Sequence, residues 1–273
     1  MEEFSIKNGI LIKYNGNASR VIIPDGVEEL ASRAFSNNSS LTEVIFPESV
    51  KQIGGRAFWK CVSLRSITLP EGLFRLGAGA FGECSSLIHI DIPKSLTGFS
   101  PYVFSGCSSL TEYNVPEHVT SLQEGAFARC GALKSVTIHG AVDYIDADVF
   151  DGCDRLVTLN IPLNNLHLME KAGKEAYKAA VCGWLYRYAS GILPLKEKRE
   201  LMLYIGLEFD RLTEILFDDP IFIRYVTEKK LINPKKANKL LFKCQNTECR
   251  VILLNYVDAN GGEKPDINER FKL

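Results

Sequence analysis

Hydrophobic residues return along this chain with a fixed period. Phe35, Phe58, Phe81, Phe104, Phe127 and Phe150 stand 23 residues apart. Other columns share the period. Val44/Phe46, Ile67/Leu69, Ile90/Ile92, Tyr113/Val115, Val136/Ile138 and Leu159/Ile161 alternate with polar residues. That predicts short strands with the named side chains inward. Proline follows at 24, 47, 70, 93, 116 and 162 and ends each strand, since it has no N–H to give a ladder. His139 breaks this column, so one strand is expected to end differently. A second apolar pair, such as Val50/Ile53 or Val119/Leu122, packs beneath the strand. Then Ala-Phe (57–58, 80–81, 126–127) drives a ring into the centre. A cysteine and a leucine, such as Cys84/Leu87, lead to the next strand.

A repeat of this length decides the fold before any local reading does. One coil cannot bury its own apolar side, so neighbours stack into a continuous core. Seven strands, counting one at 20–23, spaced about 4.8 Å apart, give a sheet roughly 30 Å long.

These residues carry a family resemblance. Leu69-Pro70, Leu76, Ala80-Phe81, Cys84 and Ser86-Leu87 typify the pattern, which recurs six times over about residues 18–162. It resembles the BspA-like leucine-rich repeats of bacteria. The resemblance implies a right-handed solenoid with a parallel β-sheet on one face; with the all-α C-terminal region read below, the expected fold class is α+β. It implies a binding role, since members include surface adhesins. It names no partner, because every matched residue belongs to the core.

The ends read differently. Two alternating runs around Asn8-Gly9 predict a hairpin, with residues 1–17 capping the first coil. After Pro162 the period stops, and residues 163–260 read as helices. The expected helices cover 166–189, Lys196–Ile205, Glu208–Phe217, Ile221–Lys230, Asn233-Pro234 to about Cys244, and one capped by Asn246 or Thr247 and running to about Val257. Pro220 and Pro234 suit first helical turns. The stretch from Asp219 to Tyr256 loosely resembles ankyrin-like helices. The same region also reads as a cap over the open sheet edge. Residues 261–273 are expected to be a flexible tail.

Composition narrows the function classes. The net charge is −1 and hydrophobic content 46%. Bulk charge therefore makes no case for nucleic acid. Residues 1–162 carry −5 and residues 163–273 carry +4, which reads as two differently composed surfaces. Met1–Lys7 lacks a secretory pattern and no stretch approaches a membrane span, which points to the cytoplasm without membrane insertion. The alternative is cell-surface display or secretion.

Five of the eight cysteines, Cys61, Cys84, Cys107, Cys130 and Cys153, follow the period, with Asn38 in the first copy. They read as core residues, because no short metal-ligand spacing is present. Cys244 and Cys249 read as helix packing. None of the four histidines has a metal-binding spacing, and no P-loop, dinucleotide fingerprint or G-x-S-x-G occurs. His89 and Asp91 project from one strand beside Glu112 and Asn114. They read as a solvated cluster rather than a hydrolase dyad. Lys229, Lys230, Lys235, Lys236 and Lys239 read as a solvated face, without the aromatic platform that binds single-stranded nucleic acid.

What remains is the exposed sheet. Its outward positions differ between copies while the inward ones do not. The expectation is a monomeric, non-enzymatic scaffold, without cofactor or metal, that binds a protein partner. The candidate contacts are Glu43, Ser66, Thr68, His89, Asp91, Glu112, Asn114, Thr137, Thr158 and Asn160. Trp59 joins them, as a large aromatic where other copies carry mostly small residues. It is either a contact or a residue packed on the neighbouring coil.

Overall fold

β1 (Phe4–Lys7) and β2 (Ile10–Tyr14) pair antiparallel across Asn8-Gly9. Both turn residues have positive φ, 50° and 75°, the backbone that a two-residue hairpin needs. The structure is a computed structural model, and it describes residues 2–261. It divides into two compact units, one ending at Ala180 and one beginning at Val181. From residue 262 the expected flexible tail lies outside the described residues.

The first unit is a β-solenoid of seven coils. Its face strands are β3 (Arg20–Ile22), β5 (Glu43–Ile45), β7 (Ser66–Thr68), β9 (His89–Asp91), β11 (Glu112–Asn114), β13 (Ser135–Thr137) and β15 (Thr158–Asn160). Shorter strands alternate with them: β4 (Glu29–Leu30), β6 (Gln52–Ile53), β8 (Arg75–Leu76), β10 (Gly98–Phe99), β12 (Ser121–Leu122) and β14 (Tyr144–Ile145). All pairs between coils are parallel and in register at one period, as in Val21↔Val44 and Val136↔Leu159. The hairpin joins the shorter ladder, since β2 pairs with β4. The coil with His139 in place of proline does not end its strand differently: β13 stops at Thr137 like the other face strands, and the Ile138 N–H donates to the Asn160 carbonyl at 2.6 Å as Ile23 and Val115 donate to Ile45 and Thr137.

The face is not one continuous ladder. It is hydrogen-bonded as β3–β5, β7–β9 and β11–β13–β15. At intact junctions the residue before the strand donates its N–H one period back, as Ile88 does to Arg65 at 2.9 Å and Lys134 to Thr111 at 2.8 Å. Arg65 and Thr111 make no such bond among the described residues. Both breaks lie beside an aromatic in a column that other coils fill with Val, Ile or Leu. Phe46 follows β5, its ring 6.1 Å from Phe58. Tyr113 sits on β11, 5.2 Å from Phe127 and 5.8 Å from Phe104. A packed interior accepts extra volume only by moving its walls, and here the strands part.

Continuity lies instead in the phenylalanine turns. The Phe35, Phe58, Phe81, Phe104 and Phe127 N–H groups each donate to the next coil's carbonyl, at 2.8–3.0 Å. Flanking residues add parallel bonds, such as Arg56 to Ala78 and Lys60 to Gly82. This stitching needs left-handed backbone twice per coil. Arg56 and Lys60 adopt it at φ 56° and 60°, and Gly125 and Arg129 at 59° and 59°. The rings stack inside, 5.0 Å apart for Phe35–Phe58 and 5.3 Å for Phe58–Phe81.

The cysteine column does more than fill space. Cys61, Cys84, Cys107, Cys130 and Cys153 donate their thiols to the carbonyls of Phe35, Phe58, Phe81, Phe104 and Phe127, at 3.1–3.3 Å. Each thus ties its coil to the one before. Burial pushes the Cys61 and Cys107 thiols up to about 12.

Beyond Pro162 the chain still follows the coil for half a turn. A 3-10 helix spans Leu163–Glu170, and Asn165 donates its side-chain amide to the Val142 carbonyl, one period back, at 2.6 Å. One period after Phe150 stands Gly173, at φ 103°. No ring continues the stack there. The expected single helix over 166–189 is therefore divided: the 3-10 turn, the glycine, then α1 (Lys174–Ala189).

The remaining helices are α2 (Leu195–Leu207), α3 (Phe209–Leu216), α4 (Pro220–Glu228), α5 (Pro234–Lys243) and α6 (Thr247–Ala259). Asp219 caps α4 by accepting the Ile221 and Phe222 N–H groups at 3.0 and 3.1 Å. Asn233 caps α5 and Asn246 caps α6 in the same way. Buried Phe222, Ile223, Val226, Leu240, Leu241, Leu253 and Val257 form the core of α4–α6. Burial pushes Cys244 up to about 11 and Cys249 to about 12.

Candidate interaction face

Each face strand buries its middle residue and turns the two flanking ones outward. Ile67 and Ile90 are buried between exposed Ser66/Thr68 and His89/Asp91. Parallel pairing in register aligns these outward residues across strands: Ser66 beside His89, Thr68 beside Asp91, Glu112 beside Ser135. The result is two rows of polar side chains on a backbone fixed from beneath by the stacked core.

The two breaks shape this surface. Between β5 and β7 lies a cleft of 610 Å³, lined by Glu43, Ser66, Thr68, Arg65, Glu48 and Glu71 among others. Between β9 and β11 lies one of 450 Å³, lined by His89, Asp91, Glu112 and Asn114, with Ile88 at its side. Seven candidate residues therefore fall into two clefts. Thr137, Thr158 and Asn160 do not. They lie on the intact β13–β15 junction, half-buried, where the Asn160 amide donates to the Thr137 hydroxyl at 3.4 Å.

Charges on the face are partly spoken for. Glu43 pairs with Arg20 at 3.0 Å, and His89 Nε2 lies 3.1 Å from Asp91 Oδ1, both groups well exposed. No hydroxyl is hydrogen-bonded to His89 among the described residues, so the pair lacks the nucleophile contact of a hydrolytic dyad. The Glu48, Glu71 and Glu112 carboxylates form no ion pair among the described residues. No group of three or more potential metal ligands occurs among them either.

Trp59 is elsewhere. It stands in a phenylalanine turn, half-buried, with Arg56 5.2 Å from its ring centroid. Its ring lies over the next coil, where a side chain at Gly82 would collide with it. The packing alternative thus describes its geometry. Sequence reasoning missed the clefts, and with them Glu48, Arg65 and Glu71. The available signal was an aromatic at Phe46 and at Tyr113 in columns of aliphatic residues.

The family description "BspA type Leucine rich repeat region" matches residues 6–134 and 53–178, with six copies. The solved leucine rich repeat protein of T. pallidum is 38% identical, with a TM-score of 0.53, over 55% of this chain and 73% of that one. A leucine-rich repeat protein from Eubacterium ventriosum is 21% identical, with a TM-score of 0.48, over 57% and 48% of the two chains. A leucine rich cell surface protein from Faecalibacterium prausnitzii is 22% identical, with a TM-score of 0.36, over 52% and 59%. No curated protein matches the chain.

Proposed function

The chain belongs to the BspA-type leucine-rich repeat family, and from that footing we propose that it is a non-enzymatic scaffold binding a protein partner through the face strands. One observation carries the reading: outward residues that differ from coil to coil stand in register along each paired ladder of the face. Rigid presentation spares a binding surface much of the ordering cost of association. Solenoid sheets offer extended surfaces of this kind. The described helices include none long and apolar enough to cross a membrane.

The test is affinity capture from native cells, using the wild-type chain and a variant with Ser66, Thr68, His89, Asp91, Glu112 and Asn114 all changed to Ala. Loss of the captured protein, with an unchanged circular dichroism spectrum and urea midpoint, is the expected result. Undiminished capture by the variant moves the site off the face. A second reading, an adhesin displayed at the cell surface, follows from the adhesins in the family. Antibody labelling of intact cells separates it from an internal scaffold.

A further inference from the structure

The core of the first unit loses its cover at the last coil, in three columns together. Phe58, Phe81, Phe104 and Phe127 are 0% exposed, and Phe150 is 6%. Cys61, Cys84, Cys107 and Cys130 are 0%, and Cys153 is 7%. Leu156 is half-buried, where Leu64, Leu87 and Leu133 are fully buried. The strand side of the same coil stays closed: Leu159 and Ile161 are buried, as are Leu166 and Met169 of the 3-10 helix. The opening is a cavity of 290 Å³ whose apolar lining includes Phe150, Cys153, Leu156, Ala172 and Ala176. Gly173 lines it too, in the register of the next ring, and a Cβ there would meet nothing within 4 Å. The cavity thus stands where a further phenylalanine turn would have put its ring. None of its residues belongs to a face strand.

That space fits one planar ring with a short charged arm. An apolar cavity of about 150 Å³ holds a benzene molecule, so this one has room for a ring and a few more atoms. Phe150 lies parallel to Phe127, with centroids 5.7 Å apart and planes at 7°. A ring from solution can extend the stack in the same offset geometry, which aromatic pairs favour over a face-to-face sandwich. Charge selects the arm. Asp148, Asp151, Asp154 and Glu175 stand exposed around the cavity, against the single ammonium of Lys174. None of the four carboxylates forms an ion pair among the described residues. We propose that this open end of the core binds a small aromatic cation, its ring stacked on Phe150 and its ammonium among the rim carboxylates.

The probe is phenethylammonium, titrated into the whole chain with carbon-labelled methyl groups and followed by NMR. Nuclear Overhauser contacts from its ring protons to the Leu156 and Ala176 methyl groups are expected. Cyclohexylethylammonium keeps the charge without a planar ring, and phenylacetate keeps the ring and reverses the charge. Each is expected to bind about fivefold more weakly or worse. D151N with D154N, both exposed, is expected to weaken the probe about threefold for each charge lost. A176L fills the cavity with a good helix former and is expected to abolish binding. Should A176L fail to fold, the carboxamide variant and the two control ligands decide. Equal binding of the cyclohexyl compound removes the stacking and overturns the inference. So does equal binding of phenylacetate, or a bound probe without contacts to Leu156 and Ala176. Phe271, outside the described residues, stands between Arg270 and Lys272 in the sequence and carries the same chemistry. If F271A binds the probe about tenfold more tightly than the wild-type chain, the cavity belongs to the chain's own tail, and the ligand inference is overturned.

Discussion

Trp59 and Gly82 offer a direct test of how neighbouring coils fit. The Trp59 ring crosses to the next coil, and a Cβ built at Gly82 would lie inside contact distance of its Cε3 and Cζ3. The Gly79 carbonyl oxygen is a further 3.3 Å neighbour. Gly82→Ala should therefore cost about 1–3 kcal/mol, the usual penalty for overfilling a packed site. Trp59→Ser, the residue at the matching places 36 and 105, should cost roughly 1–2 kcal/mol, from part-burial of a large ring and an exposed cation–π contact with Arg56. With the ring gone, the added methyl has room. Gly82 does not have positive φ, so in the Trp59→Ser background Gly82→Ala should be neutral, or stabilise by about 0.4–1 kcal/mol by restricting the unfolded chain. The coupling between the sites is then about 1–4 kcal/mol. Urea unfolding followed by circular dichroism on the four proteins gives that number. Additivity within about 0.5 kcal/mol would refute the packing and return Trp59 to the candidate contacts.

Other outcomes test the remaining assignments. Phe81→Ala removes a fully buried ring stacked on Phe58 and should cost about 3–5 kcal/mol, whereas Asp91→Ala should stay within about 0.5 kcal/mol; similar losses in urea would contradict the inward and outward columns. Asp219→Ala removes the cap of α4 and should cost about 1 kcal/mol, read as a lower thermal midpoint for the helical unit. The raised Cys61 and Cys107 thiols give a pH dependence. Their folded values of about 12 exceed the unfolded value of about 8.5, so this contribution is full below pH 8.5 and is lost as pH rises toward 12. Each thiol should remove up to about 1.4 kcal/mol of stability per pH unit in that window, measurable as a falling urea midpoint.

Burial also shields the cysteines as a group. All eight are buried and none forms a disulfide, so a thiol reagent should modify the protein slowly until urea unfolds it. Fast modification of several thiols in the native protein would contradict the column of cysteine-to-phenylalanine hydrogen bonds.

The sequence by itself determined the period, the inward columns, the hairpin at Asn8-Gly9 and most helix boundaries. Those features arise within a few residues or from strict recurrence: a proline without an N–H, a carboxamide at a cap, a ring every 23 positions. Asp219, Asn233 and Asn246 are legible as caps because their partners are two or three residues away. The breaks in the face were not legible in that way. They depend on whether Phe46 and Tyr113 find volume among rings contributed by other coils, and that is settled by packing across the stack. The same holds for Trp59, whose neighbour is Gly82, and for each cysteine, whose acceptor is 26 residues back. Recurrence fixed where each coil runs. Only the stacked structure decided where adjacent coils fit closely and where they part.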